Sequence, residues 1–231
     1  MHAPATRPHR LALLRDGFVS RFKSFVSHRS FPCVGAKSAL NRGRMEFGMF
    51  DALADTGSAS ALCTQLTGFA ERHPSPGVDP VSFVAMFRAP VANEDEFHAK
   101  LWRHLQTMHD IDRMAHRWDA RVSADPSDKA FSFSVGSRAF FVVGLHPRSS
   151  RVARQAPFPC LVFNFHDQFE ALRGSGKYDA LQSAIRRRDV ALQGTINPTL
   201  ARFGEGSEAA QYSGNAHAAT QPWAFQARAD R

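Results

Sequence analysis

Two alternating apolar runs, residues 131–135 and 138–145, are separated only by Gly136-Ser137. A two-residue connection leaves no room for a crossover, so the runs must pair antiparallel, and Gly136-Ser137 reads as a type II′ turn. This single hairpin argues against a doubly wound parallel sheet. Three more short runs have strand character. Met45, Phe47 and Met49 alternate over residues 44–50, and Val81, Phe83, Ala85 and Phe87 alternate over 81–88. Residues 160–165, from Cys160 to Phe165, form the fifth.

Helical spacing fills the intervals. Leu14, Phe18, Phe22, Phe25 and Val26 mark residues 11–27, and Pro32 ends that pattern. A short helix follows through Ala39. Leu62, Leu66 and Phe69 mark a helix ending near His73-Pro74. Asn93 caps the longest, whose apolar face is Phe97, Leu101, Leu105 and Met108. Phe169 and Leu172 begin another, and Tyr178, Leu181, Ile185 and Leu192 a last one. Strands and helices do not alternate regularly. The expected fold is therefore α+β: a single domain with about five strands in a mixed, largely antiparallel sheet covered by helices. Residues 11–216 form that domain, residues 1–10 a flexible N-terminus, and residues 217–231 a loosely ordered tail.

Composition narrows the chemistry. A chain of 231 residues with 43% apolar content can bury a sizeable core. Twenty phenylalanines against two tyrosines imply a thick aromatic interior, suited to plain packing or to a flat apolar ligand. The formal charge of +8 fits an anionic partner or simple solubility. No RNA-binding aromatic motif, zinc finger or recognition helix is present, which leaves nucleic acid the weakest partner. Three cysteines at wide spacing, with no CxxC, argue for a reducing compartment rather than a disulfide framework. No run approaches the length of a membrane span, so a cytoplasmic protein without a membrane partner is expected. GxSxG, P-loop and GxGxxG patterns are all absent.

Two strand-like runs end in histidine: Val142-Val143-Gly144-Leu145-His146 and Phe163-Asn164-Phe165-His166. Neighbouring strands ending this way are expected to bring two imidazoles to one edge of the sheet. Pro147 holds His146 in an extended corner. Asp167 or Glu170 can orient His166. Together with a carboxylate, the two histidines allow a non-heme metal reading, although no complete ligand motif is present. Cys33 lies in a small-residue corner before a short helix, where a thiol can become a thiolate or can simply be buried. Arg148, Arg151 and Arg154, with Ser149, Ser150 and the nearby Lys37, suit phosphate or carboxylate recognition. Glu208, Gln211 and Tyr212 form a polar cluster in a Gly-rich stretch that resembles a binding loop.

These segments resemble the YqcI/YcgG family. The resemblance rests on Phe31-Pro32-Cys33-Val34-Gly35-Ala36-Lys37, on Gly144-Leu145-His146-Pro147 with Ser149-Ser150-Arg151, on residues 164–170, on Arg188-Asp189 and Asn197-Pro198, and on Ser207-Glu208 with Gln211-Tyr212-Ser213-Gly214. It implies a heme b protein that N-hydroxylates a guanidino compound, as the family's arginine and guanidine hydroxylases do, using dioxygen with an electron donor, or peroxide. The axial ligand would then be Cys33, with His146 and His166 as alternatives. Lys37, Arg148, Arg151 and Arg154 would meet the propionates. His146, His166 and Glu170 would be catalytic, and Glu208, Gln211 and Tyr212 would bind substrate. The chain departs from the pattern at Ala210, where an arginine is expected, so its substrate can differ. A non-catalytic binder of heme or of an anionic ligand is the remaining alternative.

Overall fold

The computed structural model describes residues 7–197, 207–215 and 224–228. Five strands form one open mixed sheet: β1 (Met45–Phe50), β2 (Ser82–Phe87), β3 (Phe133–Val135), β4 (Arg138–Leu145) and β5 (Cys160–Phe165). Their order across the sheet is β1-β2-β5-β4-β3. Only β1 and β2 are parallel, because the 17-residue helix α3 (Thr56–Arg72) carries the chain back between them. The remaining pairs are antiparallel. The α+β reading and the largely antiparallel sheet are therefore correct.

Alternation along the strands divides the interior in two. All six residues of β2 are buried, as a central strand requires. Phe83, Ala85 and Phe87 face one core, which also takes Phe140, Val142, Phe163 and Phe165. On this side lie α3, α4 (Glu94–Asp112) and α7 (Ala209–Tyr212). Val84, Met86, Leu145 and Cys160 face the other core, covered by α1 (Arg7–Ser27) and α2 (Val34–Asn41). Helices α5 (His166–Gly174) and α6 (Tyr178–Gln193) follow β5.

Local chemistry sets the helix starts. Asp55 accepts the Ser58 N–H at 2.7 Å, and Asn93 accepts the Glu96 N–H at 2.8 Å. Glu94, Asp95 and Glu96 then meet the positive end of α4. The hairpin turn differs from expectation: Gly136 has φ of 60° and Ser137 φ of 58°. Positive φ at both central residues makes it type I′ rather than II′. At Gly144 a Cβ would lie 2.6 Å from the Phe97 ring and 2.7 Å from the Tyr212 carbonyl. Only glycine lets α4 and α7 close on β4 there.

The expected loose ends, 1–10 and 217–231, fall largely outside the described residues, although Phe225 is buried against Trp102, Trp118 and Phe131. No helix among the described residues is long and apolar enough to cross a membrane.

Candidate functional site

The antiparallel register of β4 and β5 separates the two histidines. Leu145 pairs with Cys160, and Phe140 with Phe165. His146 therefore leaves the sheet at the end where β5 begins, and His166 at the end where β5 finishes. Six residues of strand lie between these levels, which at ~3.4 Å per residue is about 20 Å. The expectation of two imidazoles at one sheet edge is thus wrong, and the pair cannot ligate one metal ion together. Among the described residues no cluster of three His, Cys, Asp or Glu could hold a metal.

His146 is fully buried, stacked on Phe97 at 4.2 Å between ring centroids, and neither ring nitrogen has a hydrogen-bond partner among the described residues. Burial lowers its pKa to about 4 despite Glu94, so the ring is neutral near pH 7.

Cys33 lies across the sheet from both histidines, packed with the α1–α2 core. Its Sγ caps α2 by accepting the Ala36 N–H at 3.4 Å. Burial raises the thiol pKa beyond what hydrogen bonds from Ala36 and Gly35 can offset. The helix start therefore does not make Cys33 a ready thiolate, and Cys33 is not part of a pocket shared with the histidines.

The basic residues expected around one anion are dispersed. Lys37 donates to the carbonyls of His28 (2.7 Å) and Arg29 (3.2 Å) at the end of α1. Arg148 is exposed. Arg151 is buried in an ion pair with Asp189 at 2.6 Å and donates to Thr195, tying the loop after β4 to α6. Arg154 donates to the carbonyls of Gly144 (3.0 Å), Gln211 (2.7 Å) and Tyr212 (3.4 Å). Burial pushes its pKa down to about 10. Arg154 is thus a clamp holding α7 on β4, and Gln211 contributes its backbone carbonyl to that clamp.

One cleft does collect several expected residues. It has a volume of about 690 Å³ and is lined by His166, Glu170 and Glu208 together with Phe131, Arg121 and Lys129. Arg173, Asp167 and Ala130 complete the wall. Its position follows from α5. Gln168 exchanges two 2.9 Å hydrogen bonds with the backbone of Val81, pinning the first turn of α5 beside β2. That turn presents His166 and, one turn later, Glu170, with His166 Nε2 3.8 Å from Glu170 Oε1. The buried Ser132 hydroxyl lies 3.2 Å from His166 Nδ1 and fixes the ring. Burial lowers the His166 pKa, against the pull of Glu170 and Asp167, so this imidazole is also neutral near pH 7.

Opposite stands Glu208, 2% exposed, with neither carboxyl oxygen hydrogen-bonded among the described residues. Burial, reinforced by the charge of Glu170, raises its pKa to about 8. Tyr212 does not line the cleft but anchors the segment that carries Glu208: its hydroxyl accepts the Phe133 N–H at 3.0 Å and donates to the Phe140 carbonyl at 3.2 Å. Arg121 is held at the lip by Asp119 and Asp167, each at 2.6 Å, and Arg173 pairs with Glu170 at 3.4 Å. The arrangement offers a neutral imidazole, a buried protonated carboxyl and cations at the mouth.

Sequence reading singled out His166, Glu170, Glu208 and Tyr212 but missed Ser132, Phe131, Arg121 and Lys129. Ser132 and Ser134 alternate with Phe131 and Phe133 in one buried run, and a polar residue kept inside such a run was the available signal. Arg121 and Lys129 stand in a loop with no distinguishing pattern.

A model of the YqcI/YcgG family matches residues 22–225. No curated protein and no solved structure matches the chain.

Proposed function

The chain belongs to the YqcI/YcgG family, and we propose that it is a heme-dependent monooxygenase that N-hydroxylates a guanidino or amino compound in the His166–Glu208 cleft. One coincidence carries the reading. A neutral, oriented imidazole and a buried carboxyl with no partner among the described residues line the same cleft. An unpaired buried carboxyl costs stability and is retained where a ligand completes it.

The donor set of the cleft suits the cofactor. His166 would offer Nε2 to iron while Ser132 holds Nδ1. Phe131 and Ala130 give apolar wall, and Lys129, exposed at the rim, would meet a propionate. Cys33 does not suit the ligand role, being a raised-pKa thiol on the other face of the sheet. When bound, heme would supply activation of dioxygen, with external electrons, or of peroxide.

The chain's own side chains do the rest. Glu208 and Glu170 hold the guanidinium or ammonium group, a carboxylate being able to accept two parallel N–H bonds from a guanidinium. Tyr212, fully buried and bonded to the Phe133 and Phe140 backbone, fixes the segment that carries Glu208. Ser132 holds the His166 ring in place through Nδ1.

A second reading puts His146 on the iron, favoured by its two unpartnered nitrogens. Heme-loading of His146→Ala and His166→Ala separates the two.

The activity test supplies heme-loaded protein with peroxide, or with a reductase and dioxygen. It offers arginine, agmatine, guanidine and simple amines, and seeks a product heavier by one oxygen. Product formed by the wild type and lost in heme-loaded Glu208→Gln is expected. No product from any of these compounds would overturn the reading.

A further inference from the structure

The charge state of Glu208 before a ligand arrives follows from its surroundings. From α5, Glu170 and Asp167 face the cleft with negative charge, Arg173 is paired to Glu170, and His166 is neutral. From the loop before β3, Arg121 is committed to Asp119 and Asp167, and Lys129 is exposed at the rim. From its own segment, Tyr212 spends its hydroxyl on the Phe133 and Phe140 backbone. None of these groups donates a hydrogen bond to Glu208. An ionised carboxylate so placed would be desolvated and uncompensated, at a cost of several kcal/mol. Glu208 therefore rests as the neutral acid, consistent with a pKa raised to about 8.

We infer that a cation binding in this cleft drives the proton off Glu208, so that each binding event releases about one proton near neutral pH. This rests on the cleft being the cation site proposed above. The O–H bond of the carboxyl breaks and its electron pair stays on oxygen. The proton passes to water at the mouth and the carboxylate hydrogen-bonds the incoming N–H donors. No other bond changes and no oxidant is consumed. Arg121 and Arg173 are not the source, because each stays a cation paired to carboxylates. The site thus carries its own removable counter-charge. It is electrically satisfied when empty, selects cations over neutral isosteres, and binds more tightly as pH rises toward the point where Glu208 ionises unaided.

The experiment is calorimetric titration of heme-loaded protein with agmatine, arginine and guanidinium chloride at pH 7, in buffers of different ionisation heat. A buffer-dependent heat corresponding to about one proton released is expected, falling toward zero above pH 9. Glu208→Gln should bind roughly ten- to a hundredfold more weakly and release none, while Glu170→Gln still releases its proton. The carbonyl absorption of a neutral carboxylic acid, present in the free wild type and lost on adding the probe, gives an independent readout. Binding without proton release, or with equal release in Glu208→Gln, overturns this inference alone. Failure of all three probes to bind overturns it together with the reading beneath it.

Discussion

Replacing Glu208 by glutamine keeps the shape of the side chain and removes its ionisation. In the folded wild type the carboxyl titrates at about 8 instead of 4.5. The folded pKa is raised, so the contribution is fully present below pH 4.5 and is lost as pH climbs through 8. At about 1.4 kcal/mol per pH unit, the interval from 4.5 to about 8 amounts to about 5 kcal/mol at most. Glu208→Gln should therefore match the wild type near pH 4.5 and become the more stable protein as pH rises, by several kcal/mol at pH 9. Urea unfolding midpoints at pH 5, 7 and 9 measure the difference, provided both proteins unfold with the same slope. Parallel stability curves for the two proteins would refute the burial argument, and with it the neutral resting state of the cleft.

Other consequences can be measured the same way. Arg154→Met strips three backbone carbonyls of their donor, and a loss of about 3–5 kcal/mol is expected by chemical denaturation. A small loss would mean that Arg154 is not a structural clamp. Gly144→Ala drives a methyl group into Phe97 and the Tyr212 carbonyl and should cost about 1–3 kcal/mol. On the acid side, the depressed His146 pKa means stability present above 6.5 and lost as pH falls through about 4. His146→Phe should lose less stability than the wild type over that window, by about 3 kcal/mol, read from unfolding midpoints at pH 7 and 4. Cys33→Ala removes only a weak cap from α2 and should cost under about 1 kcal/mol in thermal unfolding.

Much of the fold was legible because periodicity is a local property. β4, β5 and the start of α6 fall where alternation and helical spacing put them. The turn type was not legible, since nothing about a serine announces the positive φ that Ser137 adopts. For the candidate site, the limit was topology. Two neighbouring strands ending in histidine read as one cluster until their direction is known, and antiparallel pairing sends the ends apart. The arginine-rich loop misled for a related reason. Guanidinium groups look alike in sequence whether they await an anion or, like Arg154 and Arg151, already hold internal carbonyls and Asp189. Ser132 reaches His166 across 34 positions and Arg121 reaches Asp167 across 46, and no spacing rule exposes contacts at such separation. Glu208, Glu170 and His166 were found because each is a chemically distinctive residue within a recognisable segment.

The central claim is that the cleft, and not the Cys33 corner, is the heme site. It is tested most directly by titrating hemin into the wild type, His166→Ala, His146→Ala and Cys33→Ala and recording Soret and ferrous–CO spectra. The account predicts a histidine-type ferrous–CO band in the wild type, retained in Cys33→Ala and in His146→Ala and lost in His166→Ala. No Soret band in the wild type, or a thiolate-type band that disappears in Cys33→Ala, would contradict it.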